Sequence, residues 1–237
     1  MPDSLAQVRS EVIACARCPR LVRYREHVAR EKKREFRHDE YWGRGVPGFG
    51  DPRARLVAVG LAPAAHGSNR TGRVFTGDRS AAFLVRAFHA AGFANQTTSV
   101  RRGDGLRYTD LYLTAAVRCA PPDNRPTPLE RSNCSPYLVR ELSLLTNARA
   151  ILALGGVAWD AVRDVVPAVY GGTRPPTLFA HGVCVALGSG RPLLWASYHP
   201  SPQNTNTGKL TQPMLVNLLE QIRASFGSTD RPVPHAP

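Results

Sequence analysis

The chain has 237 residues, enough to bury a sizeable core as one domain. Its 31 lysines and arginines against 18 acidic residues give a net charge of +13, with arginines spread along the whole length. No apolar run reaches eighteen residues, and MPDSLAQVRSEV lacks the charged-then-apolar order of a secretion signal, so a cytoplasmic chain without a membrane partner is expected. Charge of this sign suits a polyanion, most simply nucleic acid, although a solvated basic surface gives the same total.

In chain order, Cys15 and Cys18 come first, as a C-x-x-C pair in CARC. An apolar run, RLVAVG (55–60), predicts the first buried strand. It leads into GLAPAAHGSNRTGRVFTGD (60–78), a loop with four glycines, two arginines and one carboxylate, Asp78. SAAFLVRAFHAAGF (80–93) has helical spacing and stops at a glycine suited to a C-cap. A second strand is expected over 111–118, followed by RCAPPDNRP, and a helix over 136–145. The third strand (150–154) precedes a helix over 155–166. TLFAHG and VCVALG read as a hairpin beside the sheet. A fourth strand (193–198) runs into YHPSPQNTNTGK, and a helix is expected over 209–226. The proline-rich 227–237 reads as a disordered tail behind one domain spanning 1–226.

Strands alternating with helices predict an α/β fold of three layers, a central four-stranded, mostly parallel sheet flanked by helices. In such sheets the functional loops lie beyond the carboxyl ends of the strands. The loops carrying Phe75 and Asp78, Asn124, and His199 should therefore converge.

Each candidate has a plain reading beside a chemical one. The first loop is neither a P-loop nor a clean G-x-G-x-x-G, so its glycines point instead to backbone passing close to a ligand. Phe75 is either core or an aromatic face for a planar base. Asp78 caps the following helix or handles a proton. Asn124 offers amide groups to a base edge or simply makes a turn before Pro126. His199 sits on a turn stiffened by Pro200 and Pro202, where it either bonds neighbouring backbone or faces a ligand. Ser201, Asn204 and Thr205 beside it are donors suited to phosphate. Cys15, Cys18, Cys119 and Cys134 can close around zinc or an iron–sulfur cluster, and a site closed by four thiolates leaves no coordination position for a substrate. Cys184, in VCVALG, reads as inert core.

Taken in order, CARC, GLAPAAHGSNRTGRVFTGD, RCAPPDNRP, Cys134 and HPSPQNTNTGKLT resemble the uracil-DNA glycosylase superfamily, and within it family 5, the type B enzymes. YWGRGVPGFGDPRARLVAVG is similar as well, so the likeness spans nearly the whole chain except the tail. The resemblance implies a monomeric base-excision repair enzyme that removes uracil, and deaminated or etheno bases such as hypoxanthine, xanthine and ethenocytosine, from double-stranded DNA. It also implies a structural [4Fe–4S] cluster on Cys15, Cys18, Cys119 and Cys134. By the same likeness Asp78, His199 and Asn124 are catalytic. Phe75, Gly60, Ala62, Ser201, Gln203, Asn204 and Thr205 form the substrate-binding set. Two features depart from the superfamily. Leu61 to Ala64 replace an early acidic or amide residue, and Gln203 stands where other families carry a leucine that wedges into the duplex. The missing carboxylate motivates an alternative, a non-catalytic damaged-DNA-binding protein on the same fold. A zinc-stapled nucleoside hydrolase is disfavoured by the charge of +13, which a small neutral substrate does not need.

Overall fold

The computed structural model describes residues 3–227, so 228–237 of the expected tail lie outside it. Six strands form one sheet: β1 (Phe49–Gly50), β2 (Leu56–Gly60), β3 (Leu111–Ala115), β4 (Ala150–Leu154), β5 (Cys184–Ala186) and β6 (Leu193–Ser197), in the order β1-β3-β2-β4-β6-β5. The inner four are parallel, with Val57 beside Tyr112 and Ile151, and Leu152 beside Trp195. They are the four expected strands. Every residue of β2, β3 and β4 is buried, as happens when both faces of a parallel sheet are covered.

The helices are α1 (Leu5–Ala14), α2 (Pro19–Glu31), α3 (Ser68–Thr71), α4 (Arg79–Ala90), α5 (Pro128–Leu144), α6 (Gly156–Tyr170), α7 (Pro202–Asn206) and α8 (Gln212–Ala224). Alternate strand residues divide them into two layers. Leu56, Ala58, Leu113, Leu152 and Trp195 pack with Leu84 and Phe88 of α4 and Leu215 and Leu219 of α8. Val57, Val59, Ile151, Ala153 and Leu194 face Leu138 and Leu142 of α5 and Trp159 and Val162 of α6. A third cluster joins Val8 and Val12 of α1 and Leu21 of α2 to Val117, Cys119, Cys134 and Tyr137.

Four expectations change in detail. The sheet gains two short antiparallel edges, β1 on β3 and β5 on β6. Strands of two and three residues carry no periodic pattern of their own. The expected hairpin is instead β5 with β6, Cys184 opposite Trp195, and TLFAHG forms no strand because its Phe179 packs against the α6 side of the core. Helix α5 begins at Pro128, eight residues earlier than expected, on a capping box in which Thr127 and Glu130 exchange hydrogen bonds. The expected helix over 209–226 is α8, which starts at Gln212 on a Thr211 cap, and the loop before it holds the short helix α7. Among the described residues no helix is long and apolar enough to cross a membrane.

Candidate functional site

The chain runs from β2 outward to β3, then returns to the other side of β2 as β4. The gap between β2 and β4 is thus the topological switch point, beyond whose carboxyl end sheets of this kind bind their ligands. A glycine marks each side of it: Gly60 ends β2 and Gly155 follows β4. Both carry an aromatic ring in place of a side chain. A β-carbon on Gly60 would stand 2.7 Å from the Phe75 ring, and one on Gly155 would stand 3.1 Å from His199 Cβ. The two rings face one another with centroids 6.2 Å apart, tilted by 36°.

Phe75 reaches this position only because its backbone is left-handed, φ 46°, which a bulky residue adopts when its surroundings enforce it. The enforcing network is buried. Arg73 makes a bidentate pair with Asp104, Nη1 to Oδ1 at 2.9 Å and Nη2 to Oδ2 at 2.7 Å, and its Nε donates to Thr76 Oγ1. Ser99 Oγ lies 2.9 Å from Thr76 Oγ1 and donates to the Phe75 carbonyl. Asp104 also accepts from the backbone of Val100, Arg101 and Leu106, and these donors with Arg73 hold its carboxyl far below the usual range despite burial.

Asp78 does what the plain reading expects: its Oδ1 accepts from Ala81 N at 2.8 Å and caps α4. Its other oxygen lies on Gly67, where a β-carbon would fall 2.0 Å from Oδ2. Arg70 ties this contact from both sides, donating to the carbonyls of His66 and Gly77 at 2.8 Å each, while pairing with Asp39 at 2.5 Å. Burial raises the Asp78 carboxyl; the Ala81 and Ser80 amides and the Arg70 charge pull it back in part.

The His199 ring makes no hydrogen bond to any described residue, whereas His66 and His181 both have partners. Burial alone lowers it to about 4, so it is a neutral imidazole with its ring nitrogens free for a ligand. Asn204 Nδ2 donates to the His199 carbonyl at 2.9 Å and fixes the turn. Thr205 bonds back to Ser201 O, Ser201 makes no side-chain cap bond, and Gln203 is exposed on α7.

Asn124 is exposed, in a left-handed turn at φ 56°, on the loop that leaves β3. Ala62 packs against the cysteine cluster instead of between the two rings. Sequence reasoning passed over Arg70, Arg73, Ser99 and Asp104. It also passed over Gly155, for which the glycine pair directly after the third expected strand was a usable signal.

Cys15 ends α1 and Cys18 precedes α2, so the C-x-x-C is the corner between two helices, facing Cys119 and Cys134 in one cluster. All four are free thiols. No group of three or more metal-binding side chains among the described residues is already arranged to hold an ion. What fits an iron–sulfur cluster is the donor chemistry, because N–H groups aim at the sulfurs. Arg25 Nη1 lies 2.8 Å from Cys119 Sγ, Arg118 N lies 3.3 Å from Cys134 Sγ, and Asn133 Nδ2 lies 3.7 Å from Cys18 Sγ. Arg25 is buried, and its Nε has no partner. Burial pushes the Cys134 thiol up to about 12, which a coordinated metal would reverse.

An aromatic ring facing an unpartnered neutral imidazole at the switch point of a parallel sheet, in a chain of +13, is an arrangement of an α/β protein suited to a planar, polyanion-borne ligand. The comparisons with known proteins agree. A model of the uracil DNA glycosylase superfamily matches residues 47–223, and the chain belongs to that superfamily. It is 49% identical to a type-5 uracil-DNA glycosylase of Mycobacterium bovis, over 94% of this chain and 82% of the relative. A type-5 uracil-DNA glycosylase of Thermus thermophilus is 50% identical over 90% of this chain and 94% of its own length. Likeness to a type-4 uracil-DNA glycosylase of Sulfurisphaera tokodaii is lower, 31% over 65% of this chain and 55% of the relative.

Proposed function

We infer that the chain is a monofunctional DNA glycosylase that hydrolyses the N-glycosidic bond of uracil, and of other deaminated or damaged bases, in double-stranded DNA. The observation that carries this reading is the Phe75–His199 pair, a ring seated on Gly60 facing an imidazole kept neutral and free of protein partners. The names of the type-5 relatives support it.

A base inside a duplex cannot reach such a crevice, so the nucleotide leaves the stack first. Phe75 offers the face against which the extruded base stacks. As the glycosidic bond breaks, negative charge gathers on the base and positive charge on the sugar. A hydrogen bond from His199 to a base oxygen strengthens as that charge grows, and a donor of this kind contributes about 3 kcal/mol. The Asp78 carboxylate, held on Gly67, favours the cationic sugar and orients water. Asn124, on the loop leaving β3, supplies amide contacts to the base edge. Ser201, Gln203 and Thr205 contact the DNA backbone, and Asn204 keeps His199 on its turn.

The four cysteines would hold a [4Fe–4S] cluster whose work is structural, joining the corner of α1 and α2 to the segment after β3 and to α5. The chain acts as a monomer. Base release from duplexes carrying one uracil opposite guanine, or one inosine, read as alkali-labile strand cleavage, tests the reading. Cleavage of both supports a broad pocket, and cleavage of the uracil duplex alone a narrow one. Tight binding without base release from either overturns the enzyme in favour of a damage-binding protein.

A further inference from the structure

Four large apolar side chains are conspicuously exposed among the described residues: Val100 at 57%, Leu129 at 69%, Val157 at 41% and Leu178 at 83%. Single exposed apolar residues need no explanation, but these share one end of the molecule. Val157 is the second residue of α6, directly after β4. Leu129 is the second residue of α5, next to Pro128, which lines one hollow with Ala116 just past β3. Val100 follows Ser99, whose carbonyl accepts from Gly77 N beside Asp78. Val157 and Leu129 thus stand at the carboxyl ends of the parallel strands, and Val100 beside the loop that carries Phe75 and Asp78.

Leu178 is the most exposed of the four and has the firmest support. Trp159 Nε1 donates to the Thr177 carbonyl on one side of it. On the other, the Phe179 ring lies against Gly156, with its centroid 6.1 Å from Tyr198 and 6.5 Å from Trp159. Tyr198 also stacks on His181, whose Nδ1 accepts from the Tyr198 amide. The segment carrying Leu178 is therefore pinned to the residue that precedes His199, while Leu178 itself meets water.

We propose that Leu178 is the side chain that enters the duplex where a base leaves the stack. This rests on the glycosylase reading above. An apolar side chain inserted at a base step takes the place of lost stacking, and a duplex suits a chain carrying 31 basic and 18 acidic residues. Gln203 is exposed on the neighbouring α7 but is polar and cannot fill an apolar gap as well.

The test compares wild type with Leu178→Ala and Leu178→Gln, which leave the pinned residues untouched. Uracil release is measured from a duplex and from the same strand alone, with affinity for a duplex carrying a tetrahydrofuran abasic analogue. The expected result is a fall of about tenfold or more on the duplex, single-strand release within twofold of wild type, and abasic-duplex binding weakened about tenfold. A duplex rate within twofold of wild type, or an equal fall on both substrates, overturns the proposal. Wild type releasing no uracil from either substrate would instead sink the glycosylase reading. Abasic-duplex binding then decides the wedge alone, and unchanged affinity in both variants rejects it. Unchanged DNA behaviour with loss of a protein contact in the variants would assign Leu178 to a protein partner and likewise reject it.

Discussion

The Phe75 ring rests directly on the backbone of Gly60, so closely that a β-carbon there would stand 2.7 Å from two of its atoms. Strand and loop are thereby one unit: the last residue of β2 has to lack a side chain so that a residue fifteen positions later can face His199. The strained backbone at Phe75 belongs to the same arrangement, since the ring reaches Gly60 only from a left-handed φ.

Gly60→Ala tests that contact. Gly60 needs no positive φ, so alanine strains the ring and not the backbone. Displacing a packed aromatic costs about 1–3 kcal/mol, and the expected outcome is a modest fall in urea stability with uracil release reduced at least about tenfold. Full activity in the variant would show that Phe75 is not the platform.

His199→Ala should lose most activity with little loss of DNA affinity, because the hydrogen bond strengthens only as charge develops. Removing such a donor lowers a rate by about 100-fold or more. Single-turnover rates beside binding of an uncleavable duplex separate the two effects, and an unchanged rate would remove His199 from the mechanism.

The pH profile divides His199 from Asp78. Burial lowers the imidazole to about 4, so it stays neutral from pH 5 to 8 and no limb in that window is its own. Asp78 is raised by burial, so a catalytic role as the carboxylate predicts activity that is full above its pKa and lost as pH falls through it. Wild type should show one acid limb, and Asp78→Asn should be slow at every pH with the limb gone. A limb that persists in Asp78→Asn, or a rate loss under about tenfold (1.4 kcal/mol), would leave Asp78 only its cap on α4.

Much of this was legible in the chain. The inner strands could be read because a parallel strand buries both faces and therefore shows as an unbroken apolar run. Asp78 as a cap and His199 on a proline-stiffened turn are local chemistry that spacing alone reveals. What escaped depends on contacts distant in sequence. Asp104 lies 31 residues from Arg73, and nothing near either announces the pair that holds Phe75. The edge strands are set by the neighbours they pair with. The start of α5 was available in TPLE, a capping box, but a proline at its first helical position and another at 136 obscured it.

Cys119→Ser tests the cluster. Wild type purified without oxygen should carry visible iron–sulfur absorption that the variant loses, together with stability, since α1 and α2 then lose their tie to the sheet. Colourless wild type, with zinc or no metal on elemental measurement, would refute iron–sulfur ligation.

The last prediction concerns the buried pair beneath this segment. Arg118 Nη2 donates to Glu141 Oε2 at 2.6 Å with both side chains 1% exposed, and Thr114 Oγ1 and Tyr112 Oη donate to the same carboxylate. The pair joins α5 to the chain just after β3. The Arg118 backbone also donates to Cys134 Sγ and accepts from Val46. Two opposite charges out of water roughly offset their own desolvation, but one alone does not. Glu141→Ala should therefore cost about 3–5 kcal/mol in urea unfolding by stranding the guanidinium. Replacing both, with Arg118→Met and Glu141→Leu, should recover most of that loss. A double variant no more stable than Glu141→Ala would mean that the carboxylate is needed chiefly for Thr114 and Tyr112, and that the ion pair itself contributes little.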